Sequence, residues 1–164
     1  MTATDPKGTR VVAGIGRNLM LELPITPGTG AGPIRLGTQK EDARRVLADL
    51  GYPLSAEHGS LDYFCENALQ LEYEHGRVRF IGISEHPEIR CVYGEQDVFD
   101  IDAESLFNLF AANEQQAPDA SPGETHFFAA QGLNLWEADE QYDRRGGFKR
   151  KVYAQVGVEQ PGDR

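Results

Sequence analysis

A short helix with its own start and stop signals occurs in this chain, and its layout returns sixty-four residues later. Gly37-Thr38-Gln39-Lys40-Glu41 opens the first copy and Gly51-Tyr52-Pro53 closes it. Thr38 suits the N-cap, and Glu41 three residues on suits the reciprocal bond of a capping box. Ala43, Val46, Leu47 and Leu50 then fall at i, i+3, i+4 and i+7, one apolar stripe of a 3.6-residue helix. Gly51 fits the left-handed position after the last turn, and Pro53 forbids continuation. The second helix opens at Asp102, whose carboxylate caps and complements the helix dipole, and its stripe is Ala103, Leu106, Phe107, Phe110 and Ala111.

The segments after the two helices match as well. Gly59 corresponds to Gly123, Tyr63-Phe64 to Phe127-Phe128, and Ala68-Leu69-Gln70-Leu71 to Gly132-Leu133-Asn134-Leu135. Four of the thirteen positions from Gly59 are identical at this offset, where average composition gives about one. Periods of this size accompany duplicated units. The expected architecture is one α+β domain over residues 1–164, a tandem repeat of helix plus antiparallel β-hairpin units at roughly 34–96 and 98–158. Both helices are expected on one face of a mostly antiparallel sheet, with loose tails at 1–9 and 159–164.

Leu69, Leu71 and Tyr73 alternate with polar residues and face the strand Arg77-Val78-Arg79-Phe80-Ile81 across a two-residue turn at His75-Gly76. Simple pairing sets Glu72 opposite Arg79 and Leu71 opposite Phe80, one charged and one apolar face. Leu19, Leu21, Leu23 and Ile25 alternate in the same way, and Pro24 implies that this strand ends there or lies at an edge. Pro27 to Pro33 reads as a flexible loop; its glycines lack the Lys-Ser/Thr ending of a phosphate loop. The second hairpin is longer, acidic on its outgoing arm (Glu137, Asp139, Glu140, Asp143) and basic on its return (Arg144, Arg145, Lys149, Arg150, Lys151). A turn at Gly146-Gly147 would set Asp143 opposite Arg150 in a cross-strand charge ladder.

Net charge is −10, which repels nucleic acid and anionic membranes and favours a basic partner. No apolar run approaches the roughly 20 residues of a membrane span. The polar start from Met1 to Lys7 has no apolar signal core, so a cytoplasmic location is expected, with Cys65 and Cys91 as free thiols. His58, His75, His86 and His126 form no pair at metal-ligand spacing; a zinc site would need scattered ligands such as His126 and Cys65 to meet. No serine has a nucleophile-elbow context. No catalytic residue, cofactor or metal is therefore assigned. Trp136, Tyr142 and Phe148 stand among Asp139, Glu140 and Asp143 on the long hairpin, the residue types of a docking element, and these six are the candidate partner-binding residues.

Ile34-Arg35-Leu36-Gly37-Thr38, the helix ending Leu50-Gly51-Tyr52-Pro53, and then Tyr63-Phe64 with a hairpin resemble the repeat unit of the beta-lactamase inhibitory proteins. Related outer-membrane assembly lipoproteins share that helix-then-strands unit. The resemblance implies a binding or inhibitory scaffold without catalysis, and it carries over no functional residue. An acidic chain of this size also resembles bacterial immunity proteins, which neutralise basic toxins by electrostatically steered binding. The expected function is a non-catalytic protein-binding module, an inhibitor or immunity protein for a basic partner. A small-molecule-binding protein or enzyme with its site between sheet and helices, and a structural or assembly component, are the alternatives.

Overall fold

The computed structural model of the chain describes residues 2–4, 10–12, 20–114, 120–142 and 149–162, with the backbone alone at 2–4, 10–12, 137, 139–142 and 149–150. In chain order the elements are β1 (Thr2–Thr4), β2 (Arg10–Val12), β3 (Leu21–Thr26), β4 (Gly30–Ala31), β5 (Ile34–Arg35) and α1 (Lys40–Asp49). Next come β6 (Ala56–His58), β7 (Leu61–Phe64), β8 (Leu69–Glu74), β9 (Arg77–Ile83), β10 (Ile89–Tyr93) and β11 (Gln96–Asp97). The chain continues through α2 (Ala103–Ala111), β12 (His126–Phe128), β13 (Leu133–Tyr142) and β14 (Lys149–Glu159). Seven strands form a large antiparallel sheet in the order β12-β13-β14-β9-β8-β7-β6. A five-stranded sheet, β11-β10-β3-β4-β5, contains one parallel pair, β3 with β10, and β1 with β2 makes a two-stranded ribbon. The fold is α+β. Leu23 and Cys91 from the smaller sheet, Leu47 from α1, Phe110 from α2 and Leu71 and Val156 from the large sheet join one buried cluster. Each large apolar side chain buried there contributes about 1.5–3 kcal/mol.

Both helices form where their stripes place them. Ala43 and Leu47 of α1, and Ala103, Leu106, Phe107 and Phe110 of α2, are buried. The Asp102 carboxylate accepts from the Ser105 N–H at 2.9 Å, as a cap does. The first helix departs from expectation: its N-cap is Gln39, with no side-chain capping bond, in place of Thr38. Here tertiary pairing overrides the local signal. The Gly37 N–H donates to the Val78 carbonyl and the Val78 N–H to the Thr38 carbonyl, both at 2.8 Å, while the Lys40 N–H reaches the Gly76 carbonyl at 3.0 Å. The backbone before α1 is thereby drawn alongside β9, which satisfies groups the cap would have served.

Other corrections have similar non-local causes. Within the expected N-terminal tail Thr2–Thr4 is a strand paired with Arg10–Val12; residues 1 and 5–9 lie outside the described residues. β3 lies inside the smaller sheet between β10 and β4, not at an edge. Pro24 is tolerated there because its carbonyl accepts the Gly32 N–H at 2.9 Å while the reciprocal bond, which proline cannot make, is where the β4 ladder stops. The expected loop from Pro27 to Pro33 contains β4 and two tight turns. At the other end Glu159 is buried and the Gly162 N–H donates to the Ala129 carbonyl at 2.7 Å, so 159–162 is tied down; Asp163 and Arg164 lie outside the described residues.

The hairpin registers decide which side chains share a surface. At the β8–β9 turn, His75 and Gly76 both have positive φ, +53° and +75°, the two-residue turn whose twist suits a hairpin. Beyond it the pairing is Tyr73↔Val78 and then Glu72↔Phe80 and Leu71↔Ile81, so Arg79 is the extra residue of a β-bulge. The unbulged pairing of Glu72 with Arg79 and Leu71 with Phe80 does not form. In the long hairpin Gln141 faces Arg150 and Glu140 faces Lys151, which excludes the register that set Asp143 opposite Arg150. Elsewhere Phe64↔Leu69 and Asp62↔Leu71 are matched, sixty-four residues on, by Phe128↔Leu133 and His126↔Leu135. β9 and β14 meet at Gly82↔Gly157, flanked by Ile83↔Val156 and Ile81↔Val158.

Candidate functional site

Residues directly opposite one another in a sheet share a face, so the registers sort the large sheet into two surfaces. Asp62, Leu71, Ile81, Val158, Leu133 and Phe128 are on one. Arg44 of α1 reaches Asp62 there, and Phe107 and Phe110 of α2 meet the Phe128 ring at centroid distances of 5.4 and 5.6 Å. The other surface carries Gln70, Glu72, Phe80, Gly82, Gly157, Asn134, Trp136 and Gln155.

On this second surface lies a groove of about 350 Å³ lined by Leu61, Gln70, Glu72, Arg79, Phe80, Trp136 and Gln155. Two local devices build it. The bulge turns Phe80 away from the core it would otherwise enter: Phe80 is 7% exposed yet stands outside the main buried cluster. It also sets Arg79 beside Phe80 on the groove, where the guanidinium donates to Glu72 at 2.6 Å and lies 4.0 Å from the Glu159 carboxylate. The second device is the glycine pair. A Cβ on Gly82 would stand 2.6 Å from Gln155 Nε2 and 3.0 Å from Phe80 Cε1. A Cβ on Gly157 would stand 2.6 Å from Phe80 Cε2 and closer still to Asn134 Oδ1. Absence of both side chains lets Phe80, Gln155 and Asn134 lie flat on the sheet and form the floor.

Asn134 is held in place by its neighbours. Its carboxamide oxygen accepts from the Trp136 indole N–H and its nitrogen donates to Glu159 at 3.3 Å. Trp136 is thus oriented on the wall, half-buried, across from Leu61 and Gln70. The titratable groups among the lining residues are Glu72 and Arg79, paired to each other.

Two further clusters of titratable groups are structural. Asp62 is fully buried and accepts from Arg44 Nε and Nη2 and from the Tyr73 hydroxyl, each at 2.7 Å. Burial opposes its ionisation, but the Arg44 fork and the Tyr73 hydroxyl outweigh burial and hold the carboxyl below its ordinary range. Glu57 extends the network to Lys40 and Arg44. At the β7–β8 turn Cys65, Glu66 and Asn67 all have positive φ. His86 there accepts from the Glu88 N–H through Nδ1 at 3.0 Å, so its Nε2 carries the proton that meets Glu66 at 2.9 Å. Burial, with the charges of Glu88 and Glu66, pushes the Cys65 thiol up to about 11, so it is not a reactive thiolate near neutrality.

Of the six candidates read from the sequence, Trp136 lies in the groove. Asp139, Glu140 and Tyr142 are on β13, paired with Val152, Lys151 and Lys149, and only their backbone is described. Asp143 and Phe148 lie outside the described residues. His126 and Cys65 are not brought together: β12 is at one edge of the large sheet and the β7–β8 turn is near the other, and His126 packs between Phe107 and Phe128. Among the described residues no group of three His, Cys, Asp or Glu stands ready to hold a metal ion, and no helix is long and apolar enough to cross a membrane. Gly82, Gly157, Phe80 and Arg79 were missed, although Ile81-Gly82-Ile83 and Val156-Gly157-Val158 carried a signal. A glycine inside an apolar strand marks a close approach of neighbouring groups. Comparison with known protein families, curated proteins and solved structures gives no match.

Proposed function

We infer that this chain is a non-catalytic protein-binding module, of inhibitor or immunity type, that docks a basic partner on the Gly82–Gly157 face of its large sheet. In this reading the helices cover the opposite face and leave this one for recognition. The observation that carries it is the groove itself, in which Trp136, Phe80 and Arg79 converge on a glycine-floored surface. Binding hot spots are enriched in tryptophan and arginine. The acidic chain, at −10, favours and accelerates encounter with a cationic protein.

The groove also fits a duplicated scaffold. Matching registers at the sixty-four-residue offset, together with the reciprocal pairs about Gly82↔Gly157, support two equivalent units joined through β9 and β14. The site is then composite. The first unit supplies Gln70, Glu72, Arg79 and Phe80, and the second supplies Trp136 and Gln155.

Affinity capture from the native host, with wild-type and Trp136→Ala baits compared after their folding is checked, tests the reading. The expected result is one basic partner retained by the wild type, released by salt and lost from the variant. Retention of the same partner by both baits, or of none by either, would count against it.

A further inference from the structure

The residues that line the groove come from five neighbouring strands, β13, β14, β9, β8 and β7, so it crosses the sheet from Trp136 to Leu61. Four strand spacings make it about 19 Å long. Its volume of about 350 Å³, drawn out over that length, leaves a channel one chain wide and no chamber for a compact cofactor. An extended polypeptide advances about 3.3 Å per residue, so about six residues would span the groove. Resting on the docking reading above, we propose that its occupant is an extended, uncharged segment of the partner, held along its backbone amides.

Two observations select that chemistry. The lining charges cancel, since Glu72 and Arg79 are paired with each other at 2.6 Å, and a charged segment would be desolvated there without a counter-charge of its own. The carboxamides are the second. Gln155 Nε2 lies over Gly82, and Gly82 is paired with Gln70, so both carboxamides belong to the middle of the groove. Neither is engaged by another of the described residues. A carboxamide carries the donor and the acceptor of a peptide group, so each can take one N–H and one C=O from a passing backbone. A segment laid across the strands brings those backbone groups unpaired. Leu61 and the Trp136 ring give apolar ground at the two ends. A carbohydrate chain is also neutral, but it stacks ring upon ring, and Trp136 is the one half-exposed aromatic wall, Phe80 being 7% exposed. The net charge of −10 steers the basic partner from a distance, and the groove reads its neutral segment.

The full chain, immobilised, is panned with a phage library of random dodecapeptides, and a tryptophan-free peptide of the enriched consensus is synthesised. Emission from Trp136, the chain's only tryptophan, then reads its binding in the groove. The expected consensus is an uncharged run of about six residues with apolar residues at both ends. Its peptide should give a saturable response that added salt leaves unchanged. Gln70→Ala and Gln155→Ala should each weaken binding about two- to tenfold while the variants stay folded. N-methylation of the peptide's central amides should also weaken it, whereas alanine at the same positions should not. No enriched peptide, a charged consensus released by salt, or binding indifferent to both glutamine variants would overturn the proposal. An equal response to cellohexaose would overturn it in favour of a glycan. A partner lost from Trp136→Ala, with no peptide enriched, would keep the docking face and sink the extended segment. A partner still retained by that variant would remove the docking reading, and the segment with it.

Discussion

Adding one methyl group at Gly157 should destabilise this protein far more than adding one at Gly82, although both glycines lie in the same pair of strands. At Gly157 the new Cβ would meet Asn134 Oδ1 and, at 2.6 Å, Phe80 Cε2. Asn134, 1% exposed, has no free space to enter, and Phe80, 7% exposed, can yield only toward the groove it lines. Overpacking of this kind costs about 1–3 kcal/mol. Displacing Asn134 also strains its bonds to Trp136 and Glu159, at about 0.5–1.5 kcal/mol each. Loss of glycine's unfolded-state freedom returns about 0.4–1 kcal/mol. At mid-range these terms net about 3 kcal/mol for Gly157→Ala, or roughly 6–12 °C in Tm for a chain of this size. At Gly82 the obstruction is the half-buried, flexible end of Gln155, which can swing outward, so Gly82→Ala should cost about 1 kcal/mol or less. Urea and thermal unfolding followed by Trp136 emission measure both, and Gly157→Ala should also change the native emission because Asn134 anchors the indole. Combining it with Asn134→Ala should recover stability relative to the sum of the single changes. Equal costs at the two glycines, or no coupling to Asn134, would refute the close-packed floor.

The buried Asp62 network makes a separate prediction: Arg44→Met should cost about 3–5 kcal/mol by urea unfolding, because it leaves a fully buried carboxylate without its fork. Because the folded-state pKa of Asp62 is depressed, its contribution is full above about pH 4 and is lost as pH falls through the folded value. The stability gap between wild type and Asp62→Asn should therefore narrow below pH 4 and stay constant from pH 5 to 7; a gap that widens on acidification contradicts the assignment. Cys65, with its thiol near 11, should react with iodoacetamide at pH 7 well over tenfold more slowly than an unperturbed thiol, and labelling should accelerate only on unfolding. His75 has φ +53°, so His75→Gly or His75→Asn should raise stability by up to about 1 kcal/mol, while Gly76→Val should lower it; calorimetry separates the signs.

What could be read from residue order was what neighbours along the chain determine. Helical stripes, the Asp102 cap, the alternation of Leu69, Leu71 and Tyr73 and the His75-Gly76 turn rest on contacts within a few positions, and all appear in the structure. Features set by distant pairing were hidden. Thr38 lost its capping role to β9, forty residues away, and Pro24 sits inside a sheet because β10 adds in parallel on its other side. The most consequential loss was the bulge. One extra residue at Arg79 moved Phe80 from the face of Leu71 to that of Glu72, where Arg79 also lies, and the groove depends on that shift. Trp136 was singled out by residue type and does line the groove, while its companions there were assigned to the ladder or the core.

Hydroxyl-radical footprinting of the complex with the captured partner tests the docking face most directly. Oxidation is read at Trp136, Phe80 and Leu61 on the groove and at Met20, 45% exposed and outside it, as an internal reference. The expected result is that the partner shields Trp136 and Leu61 several-fold while Met20 stays as reactive as in the free chain. Undiminished oxidation of Trp136 in a saturated complex would contradict it.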